Sequence, residues 1–70
     1  MKGIVSSIFG DKNFGFIHSG GIEYFFHRKG YDGNWKELVS DCASKIVHVH
    51  FEEERSDRGP RANNVKWTNP

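Results

Sequence analysis

The sequence predicts an all-β domain, a small five-stranded antiparallel barrel, and three observations support this. Five short segments are rich in β-branched and aromatic residues, and turn-forming clusters of Gly, Asn, Asp and Ser separate them. No window of eleven or more residues shows the apolar spacing of an amphipathic helix. The chain has 70 residues, a length that buries only about 60% of the unfolded surface, so residues 1–70 are expected to form one domain with one core. Closure into a barrel removes the edges that an open sheet would expose.

The first three strands are predicted at residues 2–9, 14–18 and 23–28. The first, KGIVSSIF, ends at the turn-forming cluster GDKN. In that cluster Asn13 is one of the few non-glycine residue types that tolerate a left-handed backbone. The segment SGGI, residues 19–22, supplies a tight connection between the second and third strands.

The second half of the chain is predicted to hold two strands and two loops. Residues 29–44 are expected to be a loop in which WKELV forms at most one helical turn. Residues 45–51, KIVHVHF, alternate as a strand does. One face of this strand carries Val47, Val49 and Phe51, and the other carries Ile46, His48 and His50. Residues 52–62 are predicted as a charged loop with a Gly-Pro turn, and residues 63–68 as a short last strand.

Composition and charge argue against several functional classes. The formal charge is +1, from ten Lys/Arg and nine Asp/Glu, so net charge does not point to a polyanion partner. The longest apolar runs are three residues, whereas a membrane span needs about 20. The single cysteine, Cys42, excludes an internal disulfide and a multi-cysteine metal site. No charged-then-apolar leader follows Met1, so we expect an unprocessed cytoplasmic protein.

The segment FGFIHSGGIEYFFH, residues 14–27, has aromatic residues in both phases of a two-residue alternation, which raises the question of what the second aromatic face does. Two hairpin registers are open, and a slip of one residue exchanges the faces. A three-residue loop gathers Phe14, Phe16, Tyr24 and Phe26 on one face. A four-residue loop instead pairs Phe16 with Phe25 and Phe14 with His27.

We favour the four-residue loop because it separates charged from uncharged faces. One face then carries Phe14, Phe16, His18, Glu23, Phe25 and His27, and His and Glu are rarely buried without partners. The other face, which suits a barrel interior, carries Gly15, Ile17, Tyr24 and Phe26. The alternative, in which all the phenylalanines are core, stays open from periodicity alone.

In the favoured register, three phenylalanines and a histidine form one exposed patch, and such patches mark binding sites. Flat rings on neighbouring strands, rimmed by Lys and Arg, suit unpaired nucleobases. Each base–aromatic stack contributes about 1–3 kcal/mol. Stacking therefore makes even a near-neutral protein a plausible nucleic-acid binder.

Two motifs in this region resemble those of bacterial cold-shock proteins. KNFGFI at 12–17 resembles the family's first ribonucleoprotein motif, written K-G-F-G-F-I, and YFFH at 24–27 resembles the second, V-F-V-H. GIV at 3–5 and GPRANNV at 59–65 also match at the family's spacing, so the resemblance covers essentially the whole chain. An RNA recognition motif domain is a poorer match, since it carries its motifs in the reverse order and needs two helices. The resemblance implies a five-stranded oligonucleotide-binding barrel (OB-fold) that binds single-stranded RNA and DNA, often as an RNA chaperone or a regulator of transcription or translation.

The resemblance also implies which residues bind. The family's stacking residues correspond to Phe14, Phe16, Phe25 and His27. Lys12 falls on a backbone-contacting lysine. Trp35 falls near an aromatic that the family places after the third strand, so we expect it to be an auxiliary stacking surface; the alternative, in which a loop Trp of so small a protein caps the core, stays open. We expect Arg28 and Lys29 to contact phosphates as well.

The chain departs from the family's pattern at three places. Ser6 and Ser7 stand where the family has Lys-Trp, and Arg28 stands where it has Phe, so two stacking residues are absent. The planar guanidinium of Arg28 compensates in part, because it can stack on a base or pair with a phosphate. We expect affinity to fall by one to a few orders of magnitude, with a shorter footprint. Asn13 in place of the motif's glycine is a milder change.

Other side-chain combinations carry less weight. His48 and His50 could bind a metal with His18 or His27, but no third ligand follows at a telling spacing, so no metal or cofactor is expected. Cys42 has no evident His or Asn partner, so no enzymatic activity is expected.

Our first hypothesis is therefore a monomeric barrel that binds single-stranded RNA or DNA. A second hypothesis is an adaptor whose nucleic-acid affinity has been lost with the change to Ser6 and Ser7. In it the barrel is retained, and the apolar patch binds a protein instead of single-stranded RNA or DNA. Salt dependence distinguishes the two, because only phosphate contacts weaken steeply with salt.

Overall fold

In the computed structural model, which describes residues 1–68, five strands form a closed barrel: β1 (Lys2–Phe9), β2 (Phe14–Ser19), β3 (Ile22–His27), β4 (His48–Ser56) and β5 (Gly59–Trp67). Their order around the barrel is β1-β2-β3-β5-β4. The predicted five-stranded barrel is confirmed, and the arrangement is consistent with an OB-fold. One correction applies to strand direction: β3 and β5 run parallel, through the pair of Phe25 with Arg61, while the other neighbours are antiparallel.

The favoured register of β2 with β3 is confirmed. Phe16 pairs with Phe25, and Phe14 pairs with His27. The connection is shorter than expected, because Ser19 pairs with Ile22 and leaves only two glycines in the turn. Those glycines, Gly20 and Gly21, have φ values of 57° and 80°, the left-handed conformations that a two-residue hairpin turn requires.

The core is the predicted inner face of this hairpin, completed by residues from β4, β5 and a helix. Tyr24 is 1% exposed and Phe26 is fully buried, as is Ile17. The predicted inward face of the fourth strand is also confirmed: Val47, Val49 and Phe51 are buried. The hydroxyl of Tyr24 donates to Glu53 Oε2 at 3.0 Å, so its polar atom is satisfied at the edge of the core.

A β-bulge divides β1. Val5 pairs with Ile17 and Ser7 pairs with Phe16, so Ser6 is the extra residue. Val5 and Ile8 both pack against the core, although they are three residues apart. The bulge therefore reverses the inward and outward phases of β1 between its two halves.

A helix, α1 (Trp35–Ser44), occupies much of the segment predicted as a loop, so that prediction is wrong. The side-chain oxygen of Asn34 accepts a hydrogen bond from the backbone N–H of Glu37 at 3.1 Å and caps the helix. Trp35 and Leu38 are buried, and Val39 and Cys42 pack partly against the core, which is helical spacing. The apolar stripe was missed because it spans only ten residues. No helix within residues 1–68 is long and apolar enough to cross a membrane.

The prediction of a charged loop over residues 52–62 is also wrong. β4 and β5 continue through it as a hairpin, and only Asp57 and Arg58 lie between them. Ladder pairs run from Glu52 with Asn63 to Ser56 with Gly59. The end of β4 is exposed on both faces, so it lacks the apolar alternation from which a strand is predicted.

Asn13 follows a short 3₁₀ turn (Gly10–Lys12) with φ 63° and ψ 35°, which confirms the predicted left-handed conformation. We expect Asn13→Ala to lower the free energy of unfolding by about 1–2 kcal/mol, because a Cβ-bearing residue without a local hydrogen-bonding group is strained there. Asn13→Gly is expected to stay within about 0.5 kcal/mol of the wild type. Urea denaturation of both variants measures this difference, and equal losses would contradict it.

The thiol of Cys42 is half-buried, and burial, with a smaller effect of Asp41, raises its pKa to about 11. We expect iodoacetamide to alkylate it about 100-fold more slowly at pH 8 than an ordinary thiol, because the thiolate is the reactive form. The same chain in guanidinium chloride is the control and should react at the ordinary rate. Equal rates in the folded and unfolded states would refute the prediction.

Candidate functional site

The outer face of β1, β2 and β3 carries a cluster of ring side chains, here named the aromatic platform. Its members are Phe9, Phe14, Phe16, Phe25 and His27. Cross-strand pairing arranges them in two rows, Phe9–Phe14–His27 and Phe16–Phe25. Their outward direction follows from the pleat, since the alternate residues Gly15, Ile17, Tyr24 and Phe26 point into the barrel.

The rings of the platform pack against one another. Phe9 and Phe14 have centroids 4.9 Å apart, and Phe14 stacks on Phe25 at 5.5 Å with an interplanar angle of 29°. Phe16 meets Phe25 edge-on at 5.9 Å. Phe9 is 42% exposed, and the other members are half-buried. Each such pair contributes about 0.5–1.5 kcal/mol beyond its buried area, so the rings are held in place while part of each stays open to a ligand.

His27 has a fixed orientation. Its Nδ1 accepts a hydrogen bond from the backbone N–H of Lys29 at 3.1 Å and caps a second 3₁₀ turn (Arg28–Gly30). An accepting Nδ1 requires the proton on Nε2 when the ring is neutral. His27 therefore presents a ring face and a donor at Nε2 beside Phe14.

The predicted phosphate-contacting residues Lys12, Arg28 and Lys29 are all exposed at one end of the platform. The β1–β2 connection is tied to the end of β3, because the backbone N–H of Arg28 donates to the carbonyl of Asn13 at 2.8 Å. Arg28 Nη1 also lies 3.5 Å from Asn13 Oδ1. The two short turns that carry these three cations thus meet where β2 begins at Phe14 and β3 ends at His27.

Trp35 is not part of the platform, and its prediction as an auxiliary stacking surface is wrong. It is 5% exposed, packs edge-on against Phe26 at 5.9 Å, and donates from Nε1 to the carbonyl of Gly10 at 3.3 Å. The physical reason is α1, whose first residue turns into the core instead of extending along a loop.

An acidic group lies at the opposite end of the platform, beside the β2–β3 turn. Ser6 Oγ donates to Glu23 Oε2 at 2.6 Å, and His18 Nδ1 lies 3.0 Å from Glu23 Oε1. Both contacts lower the pKa of Glu23 from its ordinary value, and the hydrogen bond from Ser6 has the larger effect. The platform therefore runs from a cationic end to an ionised carboxylate. Ser7, which pairs with Phe16, adds no ring to the second row.

Three residues at the site were not predicted from the sequence: Phe9, Arg58 and Arg61. Phe9 was missed because the bulge at Ser6 reverses the phase of β1. The two arginines lie in the hairpin that was predicted as a loop. Together with Phe16 and Phe25 they line a depression of about 340 Å³. The Arg61 guanidinium carbon lies 5.2 Å from the centre of the Phe25 ring.

Comparisons with known proteins add no family to this description. No family model matches the chain, and no curated protein matches it. Within residues 1–68, no group of three or more His, Cys, Asp or Glu side chains is placed to hold a metal ion.

Proposed function

We propose that this protein binds single-stranded RNA or DNA in the manner of a cold-shock protein, with low sequence specificity. The observation that supports this most directly is the aromatic platform, whose half-open rings adjoin the cations Lys12, Arg28 and Lys29. OB-fold barrels bind oligonucleotides on the same face, over strands 2 and 3 and the loops that join strands 1–2 and 4–5. The motif resemblance supports the same conclusion, with a role as a cytoplasmic RNA chaperone or a regulator of transcription or translation.

Binding then depends on unpaired bases. Bases that are free of a duplex stack on Phe14, Phe16, Phe25 and His27, and the backbone phosphates lie towards the cationic end of the platform. Every base has a π-face, so stacking tolerates most sequences. The bases of a duplex are already stacked on each other, so few base faces remain free to stack on the rings of the platform.

The site is expected to be weaker and shorter than that of a typical cold-shock protein. Ser7 leaves the second row without a ring beyond Phe16, and Ser6 is engaged with Glu23. Each missing stack removes about 1–3 kcal/mol. Nanomolar affinity for oligothymidine with a full-length footprint would contradict this part of the proposal.

Fluorescence anisotropy of end-labelled oligothymidine, titrated at several salt concentrations, tests the function. The label belongs on the oligonucleotide because Trp35 is buried away from the platform. Three phosphate contacts predict that log affinity falls with log salt with a slope of about −2, at about −0.7 per contact for single strands. A duplex of equal length is the control and should bind far more weakly. Undetectable binding of the single strand would refute the proposal and favour a protein-binding adaptor.

A further inference from the structure

One row of side chains crosses all five strands on the outer face of the barrel. Ser7 of β1 pairs with Phe16 of β2, and Phe16 pairs with Phe25 of β3. Phe25 then pairs with Arg61 of β5, and Arg61 with Glu54 of β4. Arg61 is thus the next side chain in line after the last ring of the aromatic platform.

Arg61 has two cross-strand partners of different chemistry, Phe25 on β3 and Glu54 on β4, and its guanidinium contacts the ring of Phe25. It lies over the ring, with its central carbon 5.2 Å from the ring centre. Within residues 1–68 it forms neither an ion pair nor a side-chain hydrogen bond. Glu54 instead accepts a hydrogen bond from Asn63 Nδ2 at 3.2 Å. The N–H donors of Arg61 therefore remain available to a ligand.

Arg61 also joins two depressions in the surface. One, of about 340 Å³, contains Phe16, Phe25 and Arg58, and the other, of about 390 Å³, contains His27, Lys29 and Asn63. Arg61 lines both. A strand that occupies both depressions therefore lies against the side chain of Arg61.

We propose that Arg61 is a further nucleic-acid-binding residue, and that its planar guanidinium extends the aromatic platform onto β5 as a stacking surface for one more base. This inference rests on the proposed function. Guanidinium groups stack on aromatic planes because they are flat and weakly hydrated, whereas the ammonium of lysine is a compact, strongly hydrated charge. The shape of the side chain therefore matters beyond its charge, and a lysine at this position cannot replace it.

The test compares Arg61→Lys with Arg61→Gln on two ligands, oligothymidine and an abasic strand of the same length, at low salt. We expect Arg61→Lys to weaken oligothymidine binding about 5- to 100-fold, the range of one lost stack, and to leave abasic binding within about twofold, since the charge is retained. Lys66→Gln is the matched control for charge. Lys66 is exposed on the same strand, near Asp32 and outside the platform. Lys66→Gln should therefore weaken oligothymidine binding less than Arg61→Gln does.

Several results would overturn the inference. If Arg61→Lys binds oligothymidine like the wild type while Arg61→Gln is weakened, the residue acts only as a charge. If Arg61→Gln binds more tightly, the guanidinium shields Phe25 from bases. If the wild type binds neither ligand, the proposed function itself fails. Thermal melts monitored by circular dichroism verify folding, which is expected to persist because Arg61 is exposed.

Discussion

Phe16→Ala and Phe25→Ala are each expected to leave the barrel folded and to weaken oligothymidine binding between about fivefold and about 100-fold. Each substitution removes one ring on which a base stacks, a contact of about 1–3 kcal/mol, and every 1.4 kcal/mol changes the affinity about tenfold. Both rings are half-buried and lie outside the core, so their truncation opens no internal cavity. Anisotropy titrations give the affinities, and thermal melts give the stability.

Ile46→Ala is the matched control for these two variants. Ile46 is 70% exposed and lies outside the aromatic platform, so this variant removes surface apolar area without removing a stacking ring. It should bind oligothymidine like the wild type. Unchanged binding by both phenylalanine variants would place the site elsewhere, and loss of their folded structure would show that the two rings belong to the core.

Phe26→Ala is expected to have the opposite profile, a large loss of stability caused by a cavity in the core. Phe26 is fully buried and packs against Trp35, and truncation of such a ring costs about 3–5 kcal/mol. The free energy of unfolding of a domain is only about 5–15 kcal/mol, so Phe26→Ala should remove a large part of the stability of this small barrel. Urea denaturation followed by circular dichroism measures the change, because the fluorescence of Trp35 beside Phe26 overlaps that of the exposed Trp67.

The neighbouring variant Phe25→Ala is the control for Phe26→Ala, because the two residues differ only in the face they occupy. A one-residue slip of β3 against β2 would exchange their roles. If Phe26→Ala were as stable as Phe25→Ala, the register would be wrong and the platform would consist of different residues.

The predictions that succeeded rest on local patterns. The charged and polar residues His18, Glu23 and His27 share one phase of the β2–β3 hairpin, and Tyr24 and Phe26 share the other. Because burial of an unpaired charge is costly, this separation favours the register and the inner face that the structure has, and the motif resemblance favours the same register. The alternation of Val47, Val49 and Phe51 likewise predicted the buried face of the fourth strand, because alternate residues of a strand lie on the same face.

The predictions that failed concern segments whose structure depends on contacts with other elements and not on their own residue pattern. The apolar stripe of α1 is short, so the residue pattern did not distinguish a loop from a helix, and it did not decide between a stacking role and a core position for Trp35. The end of β4 is exposed on both faces, and its strand structure depends on cross-strand pairing with β5. Phe9 belongs to the aromatic platform only because β1 has one extra residue, Ser6, where it pairs with β2.

The residues alone predict a five-stranded barrel, and they favour the pairing of Phe14 with His27 and of Phe16 with Phe25, because this register places charged and uncharged side chains on opposite faces of the hairpin. The tertiary structure alone decided that Phe9 and Arg61 adjoin those rings and that Trp35 does not. These placements depend on a bulge in β1, on a parallel contact between β3 and β5, and on the docking of α1. All three arise from contacts between elements, which the residue pattern within one segment does not show.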